Sequence, residues 1–242
     1  VGSLSFAVIV SRAMGLHDPR SYGSGNPGAT NVLRSGSKVA AVLTLLLDAL
    51  KGLIPVLVVK TWGPQWGLGD GALALVALGA FVGHLFPVFF GFKGGKGVAT
   101  ALGVLLGISG WLGLIVLGIW LVVAFVSRYS SMAALLASLG APVAYLILDG
   151  SLWSVETPLL VAIMVMAALL VWRHRENIGR LIRGEESQIG GGKKEKQPVK
   201  PALTIRKTKP KAAPKNAAQV MAEMGAKAER KPRSTKKNKH KK

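Results

Sequence analysis

The stretch KVAAVLTLLLDALKGLIPVLVVK, residues 38–60, decides the fold class of this chain. It is almost wholly apolar, and a helix needs about 20 such residues to cross the hydrocarbon core of a bilayer. The rest of the chain shares this character, because half of the 242 residues are hydrophobic and the mean hydropathy is +0.40. The sequence therefore predicts an all-α polytopic membrane protein and not a soluble domain.

Working outward from this segment, we predict about seven transmembrane helices. The chain opens directly in an apolar run, which we interpret as the remainder of a first helix truncated at its start. The fourth and fifth helices are short and meet at Ser109 and Gly110, so one long helix over Val98–Val126 is the alternative. The predicted helices cover residues 1–14, 38–60, 69–90, 98–110, 111–127, 131–149 and 156–172.

The distribution of Lys and Arg indicates the orientation, because cytoplasmic loops of membrane proteins are enriched in these residues. With seven helices, every basic loop lies on one face, which we assign to the cytoplasm, and the N-terminus lies outside. With six helices, Arg128 and the C-terminal region would be separated from the basic loops at 12–38 and 91–97. The connections 61–68 and 149–156 carry few positive charges and are expected to face out.

The net charge of +20 is concentrated near the C-terminus. We divide the chain into a transmembrane domain, residues 1–190, and a polybasic tail, residues 191–242. The tail is rich in Lys, Pro and Ala and cannot bury enough apolar surface to fold, so we expect it to be disordered. Such a tail can contact anionic lipid or nucleic acid. The absence of cysteine excludes disulfides, thiolate catalysis and iron–sulfur clusters.

The first polar cluster is GLHDPRSYGSGNPGATNVLRSGSK, residues 15–38. It is longer than an ordinary turn between two helices requires. Its glycines allow several backbone N–H groups to point toward one place, and Arg20 and Arg34 stand beside them. This combination is typical of a phosphate site.

The second polar cluster is GHLFPVFFGFKGGKGVAT, residues 83–100. Lys96 lies between glycines directly before an apolar helix, where a cation and free backbone donors favour an anion. The pattern is not a Walker A loop, because Phe90 replaces its first glycine and Gly97 its Ser or Thr. The alternative for Lys96 is an ordinary positive flank, but such a flank has no use for three glycines.

The third polar cluster is RHRENIGRLIRGEE, residues 173–186. His174, Asn177 and Arg180 recur every third residue and can share one helical face. The alternative is a basic amphipathic stretch that lies on the membrane surface. Asn177 and Glu186 favour the functional interpretation, because neither would strengthen membrane binding.

Charged residues also occur inside the apolar body. Asp48 and Lys51 are one turn apart and deep in the predicted second helix, where charges are costly and often functional. The alternative is a self-neutralising structural pair. A lone buried histidine such as His84 is more often a structural hydrogen-bonding residue than a catalyst. The turn at Arg128–Ser131 either caps a helix or reaches the site formed by the three polar clusters.

These motifs, in this order, resemble the bacterial acyl-phosphate:glycerol-3-phosphate acyltransferases, the PlsY family. The resemblance extends from Gly2-Ser3 to Glu186, whereas the truncated first helix and the lysine-rich tail depart from the family pattern. It is carried by GSGNPGATNVLR at 23–34, D-x-x-K-G at 48–52, GHLFPVFFGFKGGKGVAT at 83–100 and RHRENIGRLIRGEE at 173–186.

The resemblance implies a seven-helix enzyme of the bacterial inner membrane with its motif loops in the cytoplasm. It would transfer a fatty acyl group from acyl phosphate to the sn-1 hydroxyl of glycerol 3-phosphate, in phospholipid biosynthesis. The products would be lysophosphatidic acid and phosphate. The resemblance implies no metal, no cofactor and no acyl-CoA, while protein partners stay unassigned.

The implied catalytic residues are Asp48, Lys96 and His174. We expect Lys96 and Arg34 to neutralise phosphate, while the general base stays open among Asp48, His174 and the substrate's own phosphate. No G-x-S-x-G or H-x4-D motif is present. A phosphate transporter is the rival class, but no internal repeat supports it. The expected binding residues are Ser3, Arg20, Ser24, Gly25, Asn26, Gly28, Thr30, Asn31, Arg34, Lys51, His84, Gly94, Gly95, Gly97, Thr100, Ser130, Ser131, Asn177, Arg180 and Glu186.

Overall fold

A computed structural model describes residues 1–190, and these residues form an all-helical fold. Two short 3-10 helices, Gly63–Trp66 and Val88–Phe90, follow the third and fourth α-helices. The predicted domain boundary at residue 190 and the predicted disordered tail, residues 191–242, lie outside the described residues. The α-helices are α1 Phe6–Ala13, α2 Ala29–Leu33, α3 Lys38–Trp62, α4 Asp70–Leu85, α5 Val98–Ile108, α6 Gly110–Ser127, α7 Ser130–Ile147, α8 Thr157–Arg173 and α9 Arg175–Ile182.

Four helical segments of the described chain, α3, α4, α6 and α7, are long and apolar enough to cross a membrane. A fifth is obtained if α8 and α9, which are bent by 55°, form one span. The 11 residues of α5 rise only about 16 Å, against a hydrocarbon core of about 30 Å. The prediction of an all-α membrane protein is confirmed, whereas the count of seven spans stays a prediction.

The break between α5 and α6 lies at Ser109. Its backbone is extended (φ −148°, ψ 125°), and its side chain accepts a hydrogen bond from the backbone N–H of Leu112 as the N-cap of α6. The predicted boundary at Ser109 and Gly110 is therefore confirmed, and the alternative of one long helix is wrong.

The first predicted helix is partly wrong, because Val1–Ser5 lie outside α1. This segment packs against α4, where a Cβ atom on Gly2 would lie only 2.6 Å from the carbonyl oxygen of Ala80. Hydropathy alone does not reveal such a contact, so the predicted helix includes residues before Phe6 that are not helical. The third predicted segment, residues 69–90, agrees with the apolar span Asp70–Phe90, in which α4 ends at Leu85 before Pro87 and a 3-10 helix, Val88–Phe90, follows.

Close packing between α3 and α5 depends on glycine. A Cβ atom on Gly103 would overlap the carbonyl oxygen of Ala49, and one on Gly52 would overlap that of Thr100. The two backbones can therefore approach more closely than larger residues would allow. In the rest of the bundle, α4 and α7 pack against α8, and α6 packs against both α5 and α7.

The two ends of the bundle differ in character. The loops that hold the three polar clusters meet at the end where α3 begins, while the other end of α3 borders a cavity of about 410 Å³. The cavity lies by the connections that carry few positive charges, and its lining includes Lys60, Trp153 and Glu156. The charge-based orientation stays a prediction, because the fold itself does not identify the cytoplasmic face.

Candidate functional site

Lys96 joins the second polar cluster to the third. It lies in the loop before α5, next to Gly97, whose φ of +89° is a left-handed conformation that glycine adopts without strain. The Nζ atom of Lys96 donates a hydrogen bond to Oδ1 of Asn177 in α9. Two motifs that are far apart in sequence are therefore in direct contact.

Glu186 is the centre of the hydrogen bonds on the other side of Asn177. Its Oε1 atom accepts from Asn177 Nδ2 at 2.6 Å and from Ser131 Oγ at 2.8 Å, and its Oε2 atom accepts from Arg180 Nε at 2.7 Å. Burial raises the pKa of Glu186, but these three donors outweigh it and hold that pKa below its usual value. We call Lys96, Ser131, Asn177, Arg180 and Glu186 the Glu186 cluster.

The protonated form of Lys96 is destabilised by its surroundings. Burial lowers the pKa of Lys96 to about 8, and the nearby carboxylate of Glu186 opposes this effect only in part. Its partner Asn177 is a neutral amide and gives it no compensating charge. A negatively charged ligand would supply the missing charge, so the loop around Lys96 is suited to an anion.

His174 lies between α8 and α9 and is 2 % exposed. Its Nδ1 atom is 2.8 Å from the carbonyl oxygen of Leu170. Because a carbonyl can only accept, Nδ1 must carry the proton in this hydrogen bond, and Nε2 of the neutral ring is then an acceptor. His174 therefore offers one lone pair at the edge of the Glu186 cluster.

The glycine loop, residues 93–97, is held from the side of α8 by Arg173. The guanidinium donates to the carbonyl oxygen of Gly94 at 2.7 Å and to that of Gly95 at 3.1 Å. Sequence analysis missed this residue, because an arginine at the end of an apolar helix looks like an ordinary positive flank. Its position at the start of the third motif was the only available signal.

The first loop is organised by Asn31, which is 2 % exposed. Its amide Nδ2 donates to the carbonyl oxygens of Pro19 at 2.6 Å and Tyr22 at 3.1 Å, and its Oδ1 accepts from the N–H of Ser24 at 3.1 Å. Gly25 beside them has a φ of +65°. Asn31 thus shapes the loop, and its own amide is already occupied by backbone partners.

The two arginines of the first loop have different partners. Arg20 forms an ion pair with Asp18 at 2.6 Å and also reaches the carbonyl oxygen of Phe90 in the second cluster. Arg34 is exposed and donates from Nη2 to Ser187 Oγ at 2.7 Å, directly after Glu186. The first loop is thereby brought to the Glu186 cluster through Arg34 and to the second polar cluster through Arg20.

A second buried group lies deeper in the bundle. Lys51 Nζ is 2.7 Å from Asp48 Oδ1, and His84 Nδ1 is 3.6 Å from the same oxygen. Lys51 also donates to the carbonyl oxygen of Leu4 at 2.7 Å, and Thr100 Oγ1 donates to the carbonyl oxygen of Asp48 at 2.9 Å. We call Asp48, Lys51 and His84 the Asp48 cluster.

The two clusters are separate in their bonding. Among residues 1–190, no hydrogen bond or ion pair links Asp48, Lys51 or His84 directly to the Glu186 cluster. No group of three or more His, Asp or Glu side chains in this part of the chain is arranged to hold a metal ion.

The remaining expected residues fall into three places. Ser3 is half-buried in the segment that packs on α4, and Ser130 begins α7 beside Ser131. Gly28 is the N-cap of α2 and Thr30 lies within it, while Ser24 and Asn26 belong to the first loop. None of these residues forms a hydrogen bond with Lys96 in the described part of the chain.

Comparison with known proteins shows which proteins this chain is similar to. A family model described as glycerol-3-phosphate acyltransferase matches residues 1–184. A glycerol-3-phosphate acyltransferase of Paraburkholderia xenovorans is 60% identical over 201 residues, 83% of this chain and 92% of the relative. One from Albidiferax ferrireducens is 58% identical over 190 residues, 78% of this chain and 85% of the relative.

Solved structures extend the similarity to the fold. A crystal structure of PlsY (YgiH), an integral membrane glycerol 3-phosphate acyltransferase, in its glycerol 3-phosphate form has a TM-score of 0.70 at 40% identity. The match covers 77% of this chain and 89% of the crystallised chain. Its lysophosphatidic acid form has a TM-score of 0.69 at 38% identity and covers 78% and 90%. With the match to the family model, this similarity assigns the chain to the glycerol-3-phosphate acyltransferase family of integral membrane enzymes.

Proposed function

We propose that this enzyme transfers a fatty acyl group from acyl phosphate to the sn-1 hydroxyl of glycerol 3-phosphate. The hydroxyl oxygen attacks the acyl carbonyl carbon, the bond from that carbon to the phosphate oxygen breaks, and lysophosphatidic acid and phosphate are released. Family membership supports the acceptor, and a similar protein has been crystallised in glycerol 3-phosphate and lysophosphatidic acid forms. The observation that carries the proposal is the convergence of all three polar clusters around Lys96 and Glu186.

Both proposed substrates carry phosphate, and the Glu186 cluster has the charges to receive it. Lys96 would exchange its neutral partner Asn177 for a phosphate oxygen, whose negative charge would raise the pKa of Lys96 back toward its usual value. Arg34, which is exposed beside Ser187, provides a second cation. Gly94, Gly95 and Gly97 allow the loop to pack tightly against α4, which would hold the backbone next to Lys96 in place for phosphate.

His174 is the residue that we assign to the attacking hydroxyl. Its Nε2 lone pair can accept a hydrogen bond from the sn-1 hydroxyl and orient it toward the acyl carbon. The proton then passes to this ring or to the departing phosphate. Asp48, another candidate base from the sequence analysis, is already paired with Lys51 in the Asp48 cluster.

An acyl phosphate is a mixed anhydride, so the acyl group arrives already activated. The enzyme therefore requires no covalent acyl intermediate, and the chain contains no cysteine to form a thioester. Cations near the carbonyl instead stabilise the tetrahedral oxyanion. We propose accordingly that acyl-CoA does not replace acyl phosphate as the donor.

The proposed location is the bacterial inner membrane, with the motif loops and the polybasic tail in the cytoplasm and the N-terminus outside. This orientation follows the positive charges of the loops. The tail is proposed to contact anionic lipid headgroups, and nucleic acid is the alternative ligand for its lysines. The donor's acyl chain would lie along the apolar helices.

The decisive test is an assay of the purified full chain in detergent with palmitoyl phosphate and labelled glycerol 3-phosphate. Formation of lysophosphatidic acid with release of one phosphate for each product supports the proposal. The matched reaction uses palmitoyl-CoA without any acyl phosphate and is expected to give no product. Turnover with palmitoyl-CoA alone would overturn the assignment of the donor.

A further inference from the structure

We propose that the Asp48 cluster is a positioning device that sets Lys96 through the glycine loop, residues 93–97. Asp48, Lys51 and His84 would then act without touching either substrate. This inference rests on the proposed function only in that acyl transfer is the measured activity. The evidence for it is that Asp48 contacts His84, which bonds to the loop, and Thr100, which follows the loop in α5.

His84 contacts the middle of the glycine loop. Its carbonyl oxygen accepts a hydrogen bond from the N–H of Gly95 at 3.3 Å. A Cβ atom on Gly95 would overlap Nε2 of the His84 ring, so only glycine allows the loop to lie this close. The orientation of the His84 ring therefore limits where the peptide before Lys96 can sit.

Asp48 fixes that ring from the opposite edge. Its Oδ1 atom is 3.6 Å from Nδ1 of His84, a distance for electrostatic attraction and not for a hydrogen bond. The ring is buried and its other nitrogen lies toward Gly95, so attraction to the carboxylate favours this ring orientation. Lys51, at 2.7 Å, compensates the buried charge of the carboxylate.

The far end of the loop is tied to the same residue. Thr100, in the first turn of α5, donates from Oγ1 to the carbonyl oxygen of Asp48 at 2.9 Å. His84 and Thr100 thus stand before and after the segment that contains Lys96, and both are held by Asp48. Arg173 grips the same loop from α8 through the carbonyl oxygens of Gly94 and Gly95.

The structure also explains why two charges are kept at this depth. An unpaired carboxylate among apolar helices would be costly, and Lys51 removes most of that cost while donating to the carbonyl oxygen of Leu4. The Asp48 cluster therefore ties the segment before α1 and the start of α5 to α3. Each of these contacts favours one fixed geometry for Lys96.

A double-mutant cycle tests this idea in the full-length enzyme. Asp48→Asn and His84→Gln, made singly, are expected to lower kcat/KM for glycerol 3-phosphate by about 10–100-fold, since displacement of a reacting contact by about 1 Å can cost that much. In a Lys96→Met background, where no ammonium remains to be positioned, each should lower it by less than about threefold. An equal loss in both backgrounds would mean that the cluster acts independently of Lys96 and would overturn the proposal.

The lysine of the cluster has a matched control in the same helix. Lys60 donates to the carbonyl oxygen of Ile108 at 2.6 Å, at the other end of α3. Lys51→Met should reduce kcat/KM and lose that effect in the Lys96→Met background, whereas Lys60→Met should leave kcat/KM within about threefold. If Asp48→Asn does not fold, His84→Gln completes the cycle. An inactive wild-type enzyme would contradict the proposed function instead.

Discussion

Nζ of Lys96 donates a hydrogen bond to Oδ1 of Asn177, and this contact connects the loop before α5 with α9 across 81 positions of sequence. Asn177 in turn donates from Nδ2 to Glu186. One amide side chain therefore lies between Lys96, whose pKa is lowered by burial, and Glu186, whose carboxylate accepts hydrogen bonds from three donors. Most of the expected behaviour of the site follows from this arrangement.

Replacement of Lys96 by methionine should lower kcat/KM by about 10²–10³-fold, because it removes the proposed electrostatic contact to the reacting phosphate. Lys96→Arg should restore activity only in part, since a guanidinium is wider than an ammonium and the loop on both sides of residue 96 is closely packed. Lys93→Met is the matched control, because Lys93 lies in the same loop and is exposed. Steady-state kinetics of the purified variants measure the effect, and a Met variant within about threefold of wild type would remove Lys96 from the site.

Glu186→Gln should lower both activity and thermal stability. The substitution keeps the size of the side chain but replaces one acceptor oxygen with an amide, so a donor among Ser131, Asn177 and Arg180 loses its partner. We expect a loss of about tenfold or more in kcat/KM, comparable with other single contacts to a reacting group. Glu185→Gln is the control, because the Glu185 pair with Arg183 is exposed and contributes little. Similar losses in both variants would contradict a specific role for Glu186.

The pH dependence of kcat/KM should report Lys96 in the free enzyme. Its ammonium is the active form, and burial lowers its pKa to about 8. Activity that depends on this charge is complete below pH of about 8 and falls as the pH rises through that value. In Lys96→Arg the remaining activity should persist to higher pH, because arginine stays protonated. A decline at the same pH in both enzymes would assign the titration to another group.

The orientation in the membrane can be measured with reporter fusions. A reporter placed after Gly190 should read as cytoplasmic, and one inserted near Gln65 should read as external. Gln65 belongs to the 3-10 helix at the end of α3 that borders the cavity, opposite to the polar loops. Two reporters on the same side would contradict the proposed topology.

The sequence predicted which motifs belong together better than it predicted their bonds. Asp48 and Lys51 could be paired in advance, because residues three apart lie on one helical face. The approach of His84 to Asp48 could not be predicted from the sequence, since it requires α3 and α4 to pack in one particular register. The error at Val1–Ser5 has the same origin, because Gly2 is fixed by a neighbour in α4 that hydropathy does not see.

The role of Arg173 shows a further limit of sequence reasoning. An arginine after an apolar helix is expected at any cytoplasmic helix end, so its residue type carries no specific information. Its function becomes visible only when the carbonyl oxygens of Gly94 and Gly95 are seen to face it. Of the residues of the third cluster that were singled out, Asn177 contacts Lys96 and Arg180 bonds to Glu186, whereas His174 bonds to the carbonyl oxygen of Leu170 in α8.

The hydrogen bonds from Arg173 to the neutral carbonyl groups of Gly94 and Gly95 have a consequence for the folding stability of the enzyme. The positive charge of Arg173 is repelled by Arg175 and attracted by Glu176, while Lys96 is repelled by Arg180 and Arg34 and attracted by Glu186 and Glu176. Mutual repulsion between these cations lowers the free energy of unfolding, a cost that often accompanies binding sites built in advance of their ligand. A doubly charged phosphate bound at the proposed site would relieve that repulsion, and by mass action it would stabilise the folded protein by an amount that grows with its concentration. Inorganic phosphate, the proposed by-product of the reaction, would then stabilise the folded enzyme during purification.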